Sequence, residues 1–211
     1  PLASPESWNH YRMFLVDCGC GHEDATDEYA QVAIDMADAA GYLGVECLRE
    51  ISEDEYLSRF REVRTALGDR VALRVLHFYR EQRLVRRRVD SLRADDMGRF
   101  VTNTMVSGVS SAEYLQNVSV PGKSQAAMVA LALARTVLDE LCSGDDRYCD
   151  DQPVGAARIH GGGFGGTVQV FVKKEYADVF EERLEDFLGR GSVMAIDINP
   201  QGIAIEELEE I

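Results

Sequence analysis

The chain has 211 residues, 45% of them hydrophobic and 28% charged, with a formal net charge of −15. Folding at this length removes roughly 70% of the unfolded surface from water, so a sizeable core is expected, and no apolar run approaches the ~18 residues of a membrane span. The negative charge repels phosphates, so neither nucleic acid nor an anionic membrane surface is expected as a partner.

The first residues, Pro1 to Pro5, carry no starting Met, basic segment or apolar segment. They read as a tail or an artificial boundary, with residues 1–12 outside a domain that spans 13–211. The five cysteines (Cys18, Cys20, Cys47, Cys142 and Cys149) are odd in number and scattered, which fits a reducing cytoplasm better than a disulfide framework. Met13 to Asp17 is a short apolar run that breaks into Cys18-Gly19-Cys20-Gly21, as a buried strand entering a loop would. A helix capped by Asp24 or Thr26 follows, with apolar residues at Tyr29, Val32, Ala33, Met36, Ala40 and Leu43 and a left-handed stop at Gly44. Glu46 to Arg49 reads as a short extended link.

Ser52 to Glu55 opens the next helix as a capping box, and Gly68 ends it. In the helix after Gly68, a stripe of Val71, Val75, Phe78, Val85, Val89 and Leu92 is predicted to be buried, with Arg80, Arg83 and Arg87 directed elsewhere. Eleven arginines against four acids between Arg59 and Arg93 form a basic stretch, read as the solvated face of helices. Asp95 and Asp96 begin a helix through Phe100, Val101 and Met105. The segment from Ser107 to Pro121 is polar and loop-like, and Lys123 to Leu141 is again helical. From Gly155 the pattern becomes strand, glycine loop, strand with Val168, Val170 and Val172 on one face, helix from Lys174 to Leu188, and strand from Val193 to Ile198; Gly202 to Ile205 is a candidate edge strand. Helices grouped between strands predict an α+β domain, a small antiparallel sheet with helices packed on one face.

Five of the six residues from Gly161 to Gly166 are glycines. Gly161, Gly163 and Gly166 satisfy the dinucleotide pattern GxGxxG, but a strand follows where that pattern requires a helix. The protein-kinase loop does join two strands, yet no HRD or DFG follows. Gly122-Lys123-Ser124 lacks the earlier glycine of a Walker A loop, since Asn117 stands there, and reads as a helix start. Cys18, Cys20 and His22 alternate along one side of an extended segment as three soft metal ligands would, but no fourth ligand is paired with them, and no metal site is assigned. What remains is a backbone stripped of side chains, with amides free to face an anion or another segment.

Arg158-Ile159-His160-Gly161-Gly162-Gly163-Phe164-Gly165-Gly166-Thr167 resembles the third motif of the GHMP small-molecule kinases, in the form that galactokinases carry. Val16 to His22 followed by Asp27-Glu28-Tyr29, Arg74-Val75-Leu76-His77 with Glu81, and Ser110 to Val118 are similar to galactokinase segments in the same order. The last is closer to a bacterial branch than to the animal pattern. The family's Pro-x-Gly-Leu-Ser-Ser-Ser-like phosphate loop and its Gly-Arg-x-Asn sugar motif are absent, so the resemblance covers the C-terminal half of the family only and brings no catalytic aspartate; Asp17 is not a substitute.

The resemblance implies a C-terminal GHMP kinase domain with a ferredoxin-like core and extra helices. The complete enzyme would transfer the γ-phosphoryl group of ATP, with Mg²⁺, to the anomeric hydroxyl of galactose or a related sugar. Gly161, Gly162, Gly163, Phe164, Gly165 and Gly166 would shape the nucleotide site beside the phosphate loop of an N-terminal half, and Tyr29 would contact the sugar. His77 and His160 are read as structural, and the role of His22 stays open. A non-catalytic sensor of sugar and nucleotide, or a GHMP kinase for another alcohol such as mevalonate or homoserine, are the alternative readings.

Overall fold

The computed structural model describes residues 6–21, 25–142 and 153–198. Strand β1 (Tyr11–Asp17) lies inside a four-stranded sheet of order β2-β3-β1-β4, completed by β2 (Gly155–Ile159), β3 (Thr167–Lys173) and β4 (Val193–Ile196). Every pairing is antiparallel; β1 meets β3 from Tyr11↔Lys173 to Asp17↔Thr167. The strand therefore starts within the residues expected to be a tail. Trp8, just before it, sets its ring edge-on against Phe100 and Phe171.

Strand alternation sorts the sheet's two faces. Phe14, Val16, Ile159, Val168, Val170 and Val172 point to one face and are fully buried. Helices α6 (Ala126–Leu141) and α7 (Ala177–Leu188) cover them with Leu131, Ala134, Phe180 and Leu184. Phe14 stacks on Phe180 with ring centroids 5.8 Å apart. On the other face, Ala156 and Phe171 meet Met97 and Val101 of α5 (Met97–Ser110). The α+β class and small antiparallel sheet read from the sequence are thus observed, but helices cover both faces of the sheet rather than the one expected, because Ala156 and Phe171 make its second face apolar as well.

The remaining helices form a second cluster. Helix α1 (Thr26–Leu43) ends as expected at Gly44, which has φ 83°. It begins at Thr26 without a side-chain cap; Asp24 and the Gly202–Ile205 strand lie outside the described residues. Leu48–Glu50 is a 3₁₀ turn rather than an extended link. The Ser52 hydroxyl accepts from the Glu55 N–H at 3.1 Å, as a cap should, but the helix it opens breaks at Arg59 into α2 (Glu53–Ser58) and α3 (Phe60–Leu67).

Helix α4 (Asp69–Arg93) departs from the single apolar stripe expected of it. Val71 and Val75 are buried against Tyr56 and Val63, but Val85 is 50% exposed while Leu84 and Ser91 are buried. The helix serves two partners: its first half packs on α1 and α3 and its second half on α5, so the buried face rotates along its length.

The segment expected to be a loop from Ser107 is helical through Ser110 and continues as a wide π turn, Ser111–Leu115. Several polar side chains of α5 are buried and hydrogen-bonded, two of them across the α4–α5 seam. Ser107 donates to Glu81 at 2.9 Å, Ser110 lies 3.0 Å from His77 Nδ1, and Asn103 and Thr104 donate to carbonyls one turn back. Polar composition here marks a hydrogen-bonded helix interface rather than a loop.

One ion pair ties α1 to α4. Arg74 Nη1 lies 2.6 Å from Asp35 Oδ2, both side chains 2% exposed, and Arg70 and Gln31 also donate to Asp35. Burial alone would raise the Asp35 carboxyl, but the hydrogen bonds of Arg70 and Gln31 and the nearby guanidinium charges outweigh it and hold the group below the ordinary carboxylate range. Asp35→Asn leaves a buried guanidinium uncompensated and is expected to lower the unfolding free energy by about 3 to 5 kcal/mol, read by urea denaturation. Because the folded-state value is depressed, the carboxylate's contribution is present at neutral pH and fades as pH falls from about 4 through the lowered value. The wild-type stability curve should therefore have a steeper acid limb than that of Asp35→Asn; superimposable limbs would show that the pair carries no weight.

Candidate functional site

Antiparallel pairing brings the end of β1, the end of β2 and the start of β3 to one rim of the sheet. Three loops meet there: residues 18–21 after β1, residues 160–166 between β2 and β3, and residues 116–125 before α6. The glycine loop curls through a run of left-handed residues, with φ 61° at Gly161, 86° at Gly163, 57° at Phe164, 126° at Gly165 and 75° at Gly166. For Phe164, a bulky residue, this conformation costs about 1 to 2 kcal/mol; the ring, only 3% exposed, offsets it through burial and an edge contact to Tyr29 with centroids 5.3 Å apart.

The loop is held from three directions. Cys18 donates its N–H to the Gly166 carbonyl at 2.9 Å, and Gly166 donates back to the Cys20 carbonyl at 3.0 Å. Asn117, 3% exposed, accepts the Phe164 N–H on its carbonyl and donates from Nδ2 to the Gly162 carbonyl at 2.9 Å. The Tyr29 hydroxyl, from the first turn of α1, donates to the Gly163 carbonyl at 2.7 Å. Tyr29 and the glycine loop, 134 residues apart, thus stand in direct contact. Burial pushes the Tyr29 phenol above its ordinary value, so it stays protonated as a donor.

Of the two reasons expected for the glycines, an anion or another segment, the contacts of this chain show the second. A Cβ on Gly163 would run into the Asn117 carbonyl, one on Gly165 would sit 2.7 Å from the Gly21 carbonyl, and one on Gly162 would sit 2.5 Å from Tyr29 Cε1. The neighbours that strip these side chains away belong to this chain itself. Only Gly161 meets nothing within 4 Å. The amides of Gly161, Gly162, Gly163 and Gly165 donate to no acceptor among the described residues.

Beside the loop lies a cleft of about 160 Å³, walled by Cys20, Gly21, Lys123, Ser124, Phe164 and Gly165. Lys123 and Ser124, read from sequence as a helix start, therefore also border the site; Ser124 accepts the Ala126 N–H at 3.2 Å. Small-molecule pockets typically hold about 300 to 1,000 Å³, so this cleft is one corner of a site. Cys18 is buried, and desolvation, with Cys20 and Asp17 nearby, pushes its thiol up to about 12. His22 lies outside the described residues, among which no group of three His, Cys, Asp or Glu side chains is placed to hold a metal ion.

The other singled-out residues stand elsewhere. Arg74 serves the Asp35 pair, and burial pushes His77 below its ordinary value while its Nδ1 faces Ser110. The His160 side chain is exposed, with its N–H closing the last rung to Thr167. Asp17 accepts the Gly19 N–H at 2.8 Å, a turn role. Asn117 is the site residue that sequence reasoning missed; it enters there as the non-glycine that breaks a Walker motif and as a member of the galactokinase-like segment Ser110 to Val118, without a role of its own.

An α+β domain with a glycine loop clasped at the sheet rim is the fold of a galactokinase half: the chain superposes on the crystal structure of Lactococcus lactis galactokinase complexed with galactose with a TM-score of 0.65, at 16% identity, over 88% of this chain and 45% of that one. It is likewise similar in sequence to the galactokinase of Glaesserella parasuis serovar 5 (strain SH0165), 23% identical over 176 residues, which are 83% of this chain and 41% of the relative. No family model matches the chain. The chain thus spans less than half the length of either galactokinase, and the resemblance read from its motifs agrees with both.

The glycine contacts predict a graded series. Gly161→Ala should cost only the left-handed strain, about 1 to 2 kcal/mol. Gly163→Ala and Gly165→Ala, which add collisions with main-chain carbonyls, should destabilise by several kcal/mol, about 3 or more. Thermal midpoints of the three variants decide; equal midpoints would mean that the Asn117 and Gly21 contacts do not constrain the loop.

Proposed function

We propose that the chain is the C-terminal portion of a galactokinase-like sugar kinase that transfers the γ-phosphoryl group of ATP to the anomeric hydroxyl of galactose or a related sugar. The observation that carries this reading is convergence: the Asp27-Glu28-Tyr29 segment, the segment ending at Asn117 and the glycine motif, far apart in sequence, touch at one rim of the sheet. Phosphoryl transfer rests on positioning and on neutralising phosphate charge. The uncommitted amides of Gly161, Gly162, Gly163 and Gly165 fit that task as donors to phosphate oxygens, and the cleft beside them fits a phosphate-sized group. ATP would supply the transferred group, with the rest of its site in the N-terminal half. No group of three His, Cys, Asp or Glu side chains among the described residues is placed to hold an ion, so no Mg²⁺ ligand is assigned to this chain.

Tyr29 has a definite chemistry in this reading. Its proton goes to the Gly163 carbonyl, and a phenol oxygen can also accept hydrogen bonds, which is the capacity a sugar hydroxyl would use. Tyr29 therefore binds sugar as an acceptor and, through the same oxygen, holds the loop that faces the nucleotide. No catalytic base is assigned to this chain. A reducing cytoplasm remains the proposed setting; no helix among the described residues is long and apolar enough to cross a membrane.

The chain alone should show no galactose phosphorylation in a coupled assay with Mg-ATP, whereas the full-length gene product should turn over. Turnover by the chain alone would overturn the division of labour, and inactivity of both would favour a sugar and nucleotide sensor. In the full-length protein Tyr29→Phe should raise the galactose KM, leave the ATP KM nearly unchanged and cost about 1 kcal/mol of stability from the lost loop contact. A stability loss without a KM change would make Tyr29 a loop brace only.

A further inference from the structure

A second cleft, sharing no residue with the one at the glycine loop, lies where α5 and α6 flank the free edge of β2 and encloses about 330 Å³. Its walls combine two features. Met105, Val109 and Leu138 give it an apolar side, while Arg80 and Arg135 bring two guanidinium groups. Neither has an ion-pair partner among the described residues, and the Nε of each is buried without an acceptor. Arg135 reaches only the Ala157 carbonyl, at 3.5 Å, and Arg80 only the Tyr114 hydroxyl, at 3.3 Å, lying over that ring at 5.2 Å.

The site is built around Arg135. A Cβ on Gly108 would sit 2.9 Å from the Ala157 carbonyl and 3.0 Å from both Arg135 Nη2 and Arg158 Cβ, so this glycine lets α5 approach the strand closely with the Arg135 guanidinium beside the contact. Antiparallel rungs at Val154 and His160 direct the main-chain groups of Gly155 and Ala157 away from β3, toward this edge. Desolvation destabilises the Arg135 charge, and the carboxylates of Glu113 and Asp139, both exposed, only partly offset it. A buried N–H without an acceptor lowers stability unless something else accepts from it.

We propose that this cleft binds a small organic carboxylate, its oxyanion held by Arg80 and Arg135 and its apolar body seated on Met105, Val109 and Leu138. Guanidinium groups match a carboxylate's two oxygens. Asp139, which lines the cleft beside the two guanidiniums, and the nearby Glu113 favour a monoanion over a phosphate dianion, and the apolar wall favours a ligand with a hydrocarbon or aromatic body.

The test uses the chain as it stands with benzoate, the neutral isostere benzamide and inorganic phosphate, reading thermal midpoint and calorimetric affinity. Benzoate should raise the midpoint, and benzamide and phosphate should not. Arg135→Gln and Arg80→Gln should each weaken benzoate binding by about tenfold or more, while neither lowers the ligand-free midpoint, because each removes an N–H that lacks an acceptor. An equal response to benzamide or phosphate, unchanged benzoate affinity in both variants, or a large drop in both ligand-free midpoints would overturn the proposal, the last by showing that the guanidiniums serve the fold.

Discussion

The site depends on one residue closing around one loop. Asn117 takes the Phe164 N–H on its main-chain carbonyl and donates its side-chain amide to the Gly162 carbonyl, so a single residue spans both sides of Gly163. With Tyr29 on Gly163 and Gly166 paired to both Cys18 and Cys20, the loop is fixed by main-chain carbonyls and amides that no other geometry would satisfy together. A backbone free of side chains would by itself be entropically loose. Here it is preorganised, and preorganised amides are what an anion site needs.

Charge is handled differently in the two halves of the molecule. Between α1 and α4 the buried Asp35 is matched by Arg74 and Arg70, a closed arrangement in which few donors are left over. At the meeting of α4, α5, α6 and β2, Arg80, Glu81, Arg135 and Arg158 each keep a buried atom without a partner. Half of the buried, unpartnered side-chain atoms among the described residues therefore gather in one region, whereas the α1–α4 pair keeps a single one, Arg74 Nε.

Much of the scaffold was legible from sequence because its signals were local. Alternation placed Val168, Val170 and Val172 on one face, and Gly44 stopped α1 where a left-handed cap was expected. The α4 stripe failed because periodicity assumes one partner per helix, and Val85 sits beyond the point where the partner changes. Ser107, Ser110 and Ser111 misled because burial of a hydroxyl is decided by an acceptor on another helix, which composition does not encode. At the site, the resemblance brought Tyr29 and the glycine loop forward together, and they do touch. The glycines' neighbours stayed hidden, since a residue without a side chain carries no indication of which way its missing Cβ would point.

The placement of β1 bears on how this chain is made. The strand at residues 11–17 sits between β3 and β4, and Met13 and Gln169, 156 residues apart, are brought together across it. At roughly 5 to 20 residues per second, a ribosome needs about ten to thirty seconds to deliver the partner strand. Throughout that interval Phe14 and Val16 have no sheet to enter, and closing so long a loop is intrinsically slow. The helices of the α1–α4 cluster can pack meanwhile on contacts close in sequence, so the newborn chain exposes an unpaired apolar strand beside an already folded helical body. Any holdase that protects this protein during translation would find a binding segment in residues 11–17.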